Sequence, residues 1–224
     1  MRVYLASPNS QLQAHVANDM PVLLSFGICS PWMRDYARTY SHLLIDSGAY
    51  SVHNSGIDLD IIEYRDWHQQ FDGHADAIAG LDDIGGDWKK SMTNYERGGG
   101  FPTFHDTDPP ELLDDLGPLA ACRGNWIGIG LKPPRHRKRS WLRETIERIP
   151  DDMHIHGWAM RQYSDLAGWD SMDSTNWWRD GFQIKNLLPY LTYGECLEII
   201  VKRYQRENQQ GPSDSVDNQM ELSW

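Results

Sequence analysis

The sequence predicts an α/β protein, a compact (β/α)8 TIM-like barrel. Two observations predict the class. Eight short apolar runs recur along the chain, and segments with helical spacing separate nearly all of them. Apolar runs alternating with helices imply a parallel sheet covered on both faces. A third observation favours the barrel. The runs end in polar or titratable residues, as the strands of a barrel do where they open into a shared mouth. The pattern also leaves room for an open doubly wound sheet. No internal repeat is evident.

In order, the expected strands are Val3–Ser7, Val22–Phe26, Leu43–Tyr50, Ala75–Leu81, Phe101–Phe104, Trp126–Leu131, Met153–Ala159 and Trp169–Thr175. The expected helices are Leu12–Asp19, Trp32–Tyr40, Leu59–Gln70, Trp88–Arg97, Pro110–Leu116 and Trp141–Ile149, with two helical turns over Arg161–Ala167 and a closing amphipathic helix over Tyr193–Gln205. Pro8-Asn9-Ser10 reads as turn and cap, and Gly98-Gly99-Gly100 stops a helix. The barrel domain is expected over residues 1–205. The polar stretch 206–224 is expected to be a disordered tail.

Composition narrows the function classes. The 224 residues suit one large domain, and a hydrophobic content of 40% supports a sizeable core. Ten Trp and ten Tyr are many, so some rings are expected to line a cleft. A net charge of −11 argues against a generic electrostatic nucleic-acid binder. Cys29, Cys122 and Cys196 are scattered and provide neither a disulfide framework nor a zinc knuckle. The N-terminal MRVYLASPNSQLQAH has no long apolar stretch. The expectation is a chain with no signal peptide or membrane span, in the cytoplasm.

The chemistry concentrates at strand ends. Strand three ends in Asp46-Ser47-Gly48, strand four in Asp82-Asp83, strand five in His105-Asp106 and strand six in Gly130-Leu131-Lys132; strand seven ends in His156-Gly157 and strand eight in Asp173. One Asp after a strand is commonly a helix cap, and Asp173 to Asn176 alone reads better as a turn and cap than as a site. Several such groups around one mouth point instead to acid/base or nucleophilic chemistry. Asp170 and Asp173 lie three apart, so in a strand they face opposite ways. His154 and His156 share one strand face, but no spacing is strong enough to assign a metal, and none is expected. Arg135-His136-Arg137-Lys138-Arg139 is a dense basic run in an acidic chain. Positive charge opposes the dipole at a helix start, so Arg135, Arg137, Lys138 and Arg139 are expected to contact phosphates.

These residues carry a resemblance. DSGAY at Asp46–Tyr50 resembles the DSGG-type motif of tRNA-guanine transglycosylases. GIGLK at Gly128–Lys132 resembles their GGL-type base-binding loop, and GWDSMD at Gly168–Asp173 resembles the segment ending in the nucleophilic aspartate. The ordered set LIDSGAYS, LDDIG, FHD, IHGW and DSTNW, over Leu43 to Trp178, looks closer still to phage-encoded relatives that insert 7-deazaguanines into DNA. DSG alone is a weak motif; the ordered set carries the likeness. The family's Cys/Cys/Cys/His zinc segment is missing here, so the implied fold is a barrel without the zinc subdomain, in host cytoplasm if phage-encoded.

The resemblance implies a base-exchanging transglycosylase that replaces guanine in DNA, or in tRNA, with a free 7-deazaguanine base and needs no cofactor. It makes Asp173 the nucleophile and Asp46 the general acid/base, or an orienter of the incoming base. Asp82 would pair with the N–H edge of the base, His105 would contact it, and Gly130 would admit it close to the backbone. Tyr50, Trp158 or Trp177 would stack on it. Ser47, Asp83, Leu131, Lys132 and His156 complete the expected substrate-binding set. A nucleosidase or glycosidase using the same aspartate, and a non-catalytic barrel binding nucleic acid or a modified base, are the alternatives. A homo-oligomer or a partner protein could stand in for the missing subdomain.

Overall fold

A computed structural model of the chain describes residues 1–53, 56–132 and 138–210. The five residues of β1 (Arg2–Ala6) divide by parity, as successive side chains of a strand must. Val3 and Leu5 face the surrounding helices, whereas Tyr4 and Ala6 face inward. The same alternation holds around a ring of eight strands. The others are β2 (Val22–Ser25), β3 (Leu43–Asp46), β4 (Ala77–Ile78), β5 (Thr103–His105), β6 (Trp126–Gly130), β7 (His154–Gly157) and β8 (Ser171–Ser174). They run parallel in the order β4-β3-β2-β1-β8-β7-β6-β5.

The two ends of that order meet. Phe101 N donates to Ile78 O at 2.7 Å and Gly80 N to Phe101 O at 2.8 Å, so a parallel bridge between Ala79 and Phe101 closes the ring. Gly100 makes the seam fit. It has φ +81°, and a Cβ there would lie 2.5 Å from the backbone of Ala79 and Gly80. The interior is packed by Tyr4, Leu23, Leu44, Ala77, Ala79 and Phe101, with Trp126 and Trp158 against them. It is therefore a filled core and not a channel.

Nine helices are described: α1 (Gln11–Val16), α2 (Pro31–Ala37), α3 (Ala49–His53), α4 (Ile61–His68), α5 (Trp88–Gly98), α6 (Leu112–Ala121), α7 (Arg139–Arg148), α8 (Asn176–Leu187) and α9 (Tyr193–Gln210). Their starts follow from side-chain caps. Ser10 accepts from Gln13 N, Asp60 from Ile62 and Glu63 N, and Asp87 from Lys89 and Lys90 N. Two outer cores fill the space between ring and helices. Trp177 on α8 is fully buried in one of them and donates to Ala6 O at 3.1 Å.

Several elements differ from expectation. Strand three stops at Asp46 because Gly48, at φ +75°, turns the chain into α3; Tyr50 is therefore helical. The link from β7 to β8 holds one 3-10 turn, Arg161–Tyr163, in place of two helical turns. The Ser174–Asn176 cluster is a turn into α8, in which Ser174 Oγ accepts from Asn176 N at 3.3 Å, but Thr175, the N-cap position, makes no side-chain cap. The closing helix runs to Gln210 rather than Gln205. Glu207 pairs with Arg161 at 2.8 Å, and Asn208 accepts from Val3 N at 2.7 Å. Residues 211–224 lie outside the described residues. Among those described, no helix is long and apolar enough to cross a membrane.

Candidate active site

Parallel strands leave all their C-terminal ends on one side of the ring. Asp46 ends β3, His105 ends β5, Gly130 ends β6, and Asp173 lies one residue from the end of β8. Ser25 is the register neighbour of Asp46, and its Oγ donates to Asp46 Oδ2 at 2.8 Å. Gly48 N donates to the same oxygen at 3.0 Å. Burial nevertheless dominates and pushes the Asp46 carboxyl up to about 6; the nearby charge of Asp173 adds to the rise, and the Ser25 and Gly48 bonds oppose it.

Asp173 is buried and faces inward, next to Tyr4 in the register. Its Oδ1 accepts from Ala159 N at 2.6 Å. Ala159 has φ +52°, a left-handed conformation that costs a residue with a Cβ, and this turn aims its N–H at the carboxylate. His156 Nε2 lies 3.6 Å from the same oxygen, and His156 Nδ1 lies 2.8 Å from Ser171 Oγ. Asp170 sits at the other end of β8, where its Oδ2 accepts from Ile155 N at 2.8 Å. The two aspartates are thus separated as strand alternation requires.

Asp82 follows β4 and meets His105 Nε2 at 2.8 Å. Burial raises the Asp82 carboxyl, reinforced by the charge of Asp46, and burial lowers the His105 imidazole. Both shifts disfavour charge on the pair. Gly130 makes room for the imidazole. A Cβ there would stand 2.4 Å from His105 Nδ1, so His105 fills the space expected to admit a base. Gly128 does the same for Trp158, whose Nε1 donates to Thr103 Oγ1 at 3.0 Å.

The remaining expected residues divide. Ser47 is buried and caps α3 through Ala49 N. Asp83 turns away to α5, where it accepts from Asp87 N and pairs with Lys90 at 3.0 Å; these contacts outweigh burial and hold its carboxyl low. Leu131 is buried, and Lys132 N donates to Asp106 Oδ1 at 2.8 Å. Tyr50 is exposed, Trp158 stacks on Phe101 inside the ring, and Trp177 is too deep to meet a ligand. Lys138 pairs with Asp106 at 2.9 Å, and Arg139 makes two bonds to Asp165 at 2.8 and 3.0 Å. Arg135 and Arg137 lie outside the described residues. Ser25, Ser171 and Ala159 were not legible as site residues. Ser25 and Ser171 matter through neighbours in the register, and Ala159 through a backbone N–H.

The mouth is tight. A concavity of about 60 Å3 beside Ser7, Ser25, Ile28 and Cys29 is far below the roughly 300 Å3 or more of a ligand pocket. A larger one, about 380 Å3, lies away from these carboxylates, between α4 and α5, lined in part by Arg65, His68, Arg97 and Arg123. The chemistry of the mouth, and not the size of the groove, marks the candidate site. Among the described residues, no three His, Cys, Asp or Glu side chains gather as metal ligands. No family model, curated protein or solved structure matches the chain.

Proposed function

We propose that the chain is a base-exchanging transglycosylase that replaces guanine in DNA with a 7-deazaguanine derivative through a covalent aspartyl-glycosyl intermediate. One observation carries the reading. Three carboxylates, Asp173 buried and Asp46 and Asp82 half-buried, come from three different strand ends to one mouth, and among the described residues none has a Lys or Arg partner. A fold does not draw several carboxylates out of water with no Lys or Arg beside them without cost, and such groups mark chemistry. The ordered motifs from Asp46 to Asp173 supply the reaction class.

In this mechanism Asp173 attacks C1′ of the sugar. The C–N bond to guanine breaks, its electron pair leaves with the base, and Asp46 donates the proton the base needs. A carboxyl raised to about 6 is suited to give up a proton at one step and take it back at the next. The incoming base then attacks C1′, Asp173 leaves as carboxylate, and Asp46 accepts the proton released. Asp82 accepts from the N–H edge of the base once His105 yields the contact. A paired base must be extruded to reach this depth.

The test is mass spectrometry of nucleosides from DNA and tRNA of cells with and without the protein, beside exchange of labelled guanine into a defined duplex. A 7-deazaguanine nucleoside in DNA, dependent on the protein, supports the reading. Release of free guanine with no incorporation would replace it with a nucleosidase, and labelling confined to tRNA would move the acceptor.

A further inference from the structure

We propose that His156 is a positioning residue that holds Asp173 by one oxygen and leaves the other, Oδ2, to form the bond to the sugar. This inference rests on the transglycosylase reading and assigns a part of that site. It corrects the expectation that His156 binds substrate. The residue has no exposed surface, and the rings of Tyr4, Phe101 and Trp158 enclose it, with the Trp158 centroid at 4.3 Å. It can act on a ligand only through a neighbour.

Its two nitrogens are unlike. Nδ1 lies 2.8 Å from Ser171 Oγ. Nε2 is buried and has no hydrogen-bond partner among the described residues, yet it lies 3.6 Å from Asp173 Oδ1. A buried polar atom without a partner needs a reason. Ser171 can donate or accept, so Asp173 decides the tautomer. A lone pair on Nε2 facing a carboxylate oxygen would repel it, whereas an N–H there attracts it. In both the neutral form with Nδ1 accepting from Ser171 and the doubly protonated form, Nε2 carries the hydrogen. Oδ1 is then held from two sides, by Ala159 N at 2.6 Å and by His156, and Oδ2 is left to react.

The contact favours one half of the reaction. In the first half, Oδ2 bonds to C1′ as the glycosidic bond breaks, and Asp173 loses its charge. In the second, the incoming base bonds to C1′, the C1′–Oδ2 bond breaks, and its electron pair returns to the carboxylate. An N–H beside Oδ1 stabilises the charged carboxylate over the ester, so it assists departure. At 3.6 Å the contact is long, and catalytic hydrogen bonds commonly tighten only when charge develops.

The experiment compares wild type with His156→Phe and His156→Gln. Gln can present an amide N–H near the place of Nε2. Each protein is tested for folding by thermal melting, then for steady-state exchange and for the fraction trapped as covalent adduct. The inference predicts that His156→Phe loses about tenfold or more in kcat with little change in KM for the free base, and that adduct accumulates. His156→Gln recovers part of both. Wild-type kcat and adduct fraction in folded His156→Phe would overturn it. Should His156→Phe not fold, His156→Asn replaces it, since its shorter amide can meet Ser171 but not reach Asp173, with the same loss expected and the same result overturning it. A separate readout needs no activity. Nitrogen NMR of His156 should show Nε2 protonated and should change on Asp173→Asn. An Nε2 without hydrogen would overturn the inference even in an active enzyme. Absence of exchange and adduct in wild type, with Nε2 protonated, would instead strike the transglycosylase reading.

Discussion

The two ends of the barrel treat their carboxylates differently. At the N-terminal end, Asp76 is matched on every side. Arg2 lies 3.1 Å from Oδ2, Tyr4 Oη donates to the same oxygen at 2.8 Å, and His42 Nδ1 lies at 3.2 Å. At the C-terminal end, Asp46 has a serine hydroxyl and a backbone N–H, and Asp173 a backbone N–H and a histidine at 3.6 Å. The first end ties β1 to the segments that enter β3 and β4. The second gathers three acids, Asp46, Asp82 and Asp173, with no Lys or Arg partner among the described residues, beside Asp106, which Lys138 does pair. Both ends lie on the same strands, so the difference is one of partner choice, and it separates a structural carboxylate from a chemical one.

Mutations at both ends break this comparison if it is wrong. Asp173→Asn is expected to have the largest effect, a fall in exchange rate of roughly a thousandfold or more, because an amide is no nucleophile. Its side-chain oxygen can still accept from Ala159 N, so the melting temperature should stay close to wild type. Asp46→Asn should cost on the order of a hundredfold in kcat and remove a limb of the pH–rate profile near pH 6. Retention of that limb in Asp46→Asn would assign it to another group.

Gly130→Ala tests the mouth without touching a carboxylate. Its Cβ would stand 2.4 Å from His105 Nδ1 and must displace the ring from Asp82. The expected outcome is a KM for the free base changed by about tenfold, since His105 and the base compete for Asp82, with kcat less affected. Asp76→Ala should do the reverse. It leaves Tyr4 Oη and Arg2 without their shared partner and should cost about 1–2 kcal/mol of stability, discounted because Arg2 is partly exposed, with the folded enzyme's kcat unchanged.

The smallest expected effect is on stability against pH. Burial raises Asp46 from 3.8 to about 6 in the folded chain. Folding therefore takes up a proton, and the stability this adds is complete below about pH 4 and lost as pH rises through about 6. Denaturant titration of wild type between pH 4 and 7 should show this loss together with that of Asp82, whose carboxyl burial raises to about 7, and Asp46→Asn should reduce it without abolishing it.

The fold was readable from the sequence because its strands are apolar runs with helices between them, and each run lies within one of the eight strands or overlaps it. Element ends were less readable. LLIDSGAY looks extended throughout, but Gly48 permits a left-handed turn, and the strand ends at Asp46, before that turn. α8 was hidden because Trp177, Trp178 and Phe182 obscure the helical period, and its close packing needs Gly181 against Leu197. At the site, Asp46, Asp82, His105 and Asp173 were legible as titratable groups at strand ends. Their pairing was not. Whether His105 meets a base or meets Asp82 depends on the distance across the seam between β5 and β4, which no local pattern encodes. The basic run is only partly described, and there Lys138 and Arg139 already have the carboxylates of Asp106 and Asp165.

The central claim is that Asp173 forms a covalent bond to the sugar of a nucleic acid. Its most direct test is intact mass analysis of the denatured protein after incubation with a guanine-containing oligonucleotide and no incoming base. The account predicts a species heavier than the protein by the oligonucleotide less one guanine, dispersed by adding the free base, and absent in Asp173→Asn. An adduct of unchanged yield in Asp173→Asn would place the nucleophile elsewhere, and exchange by wild type with no adduct at any time would contradict the covalent mechanism itself.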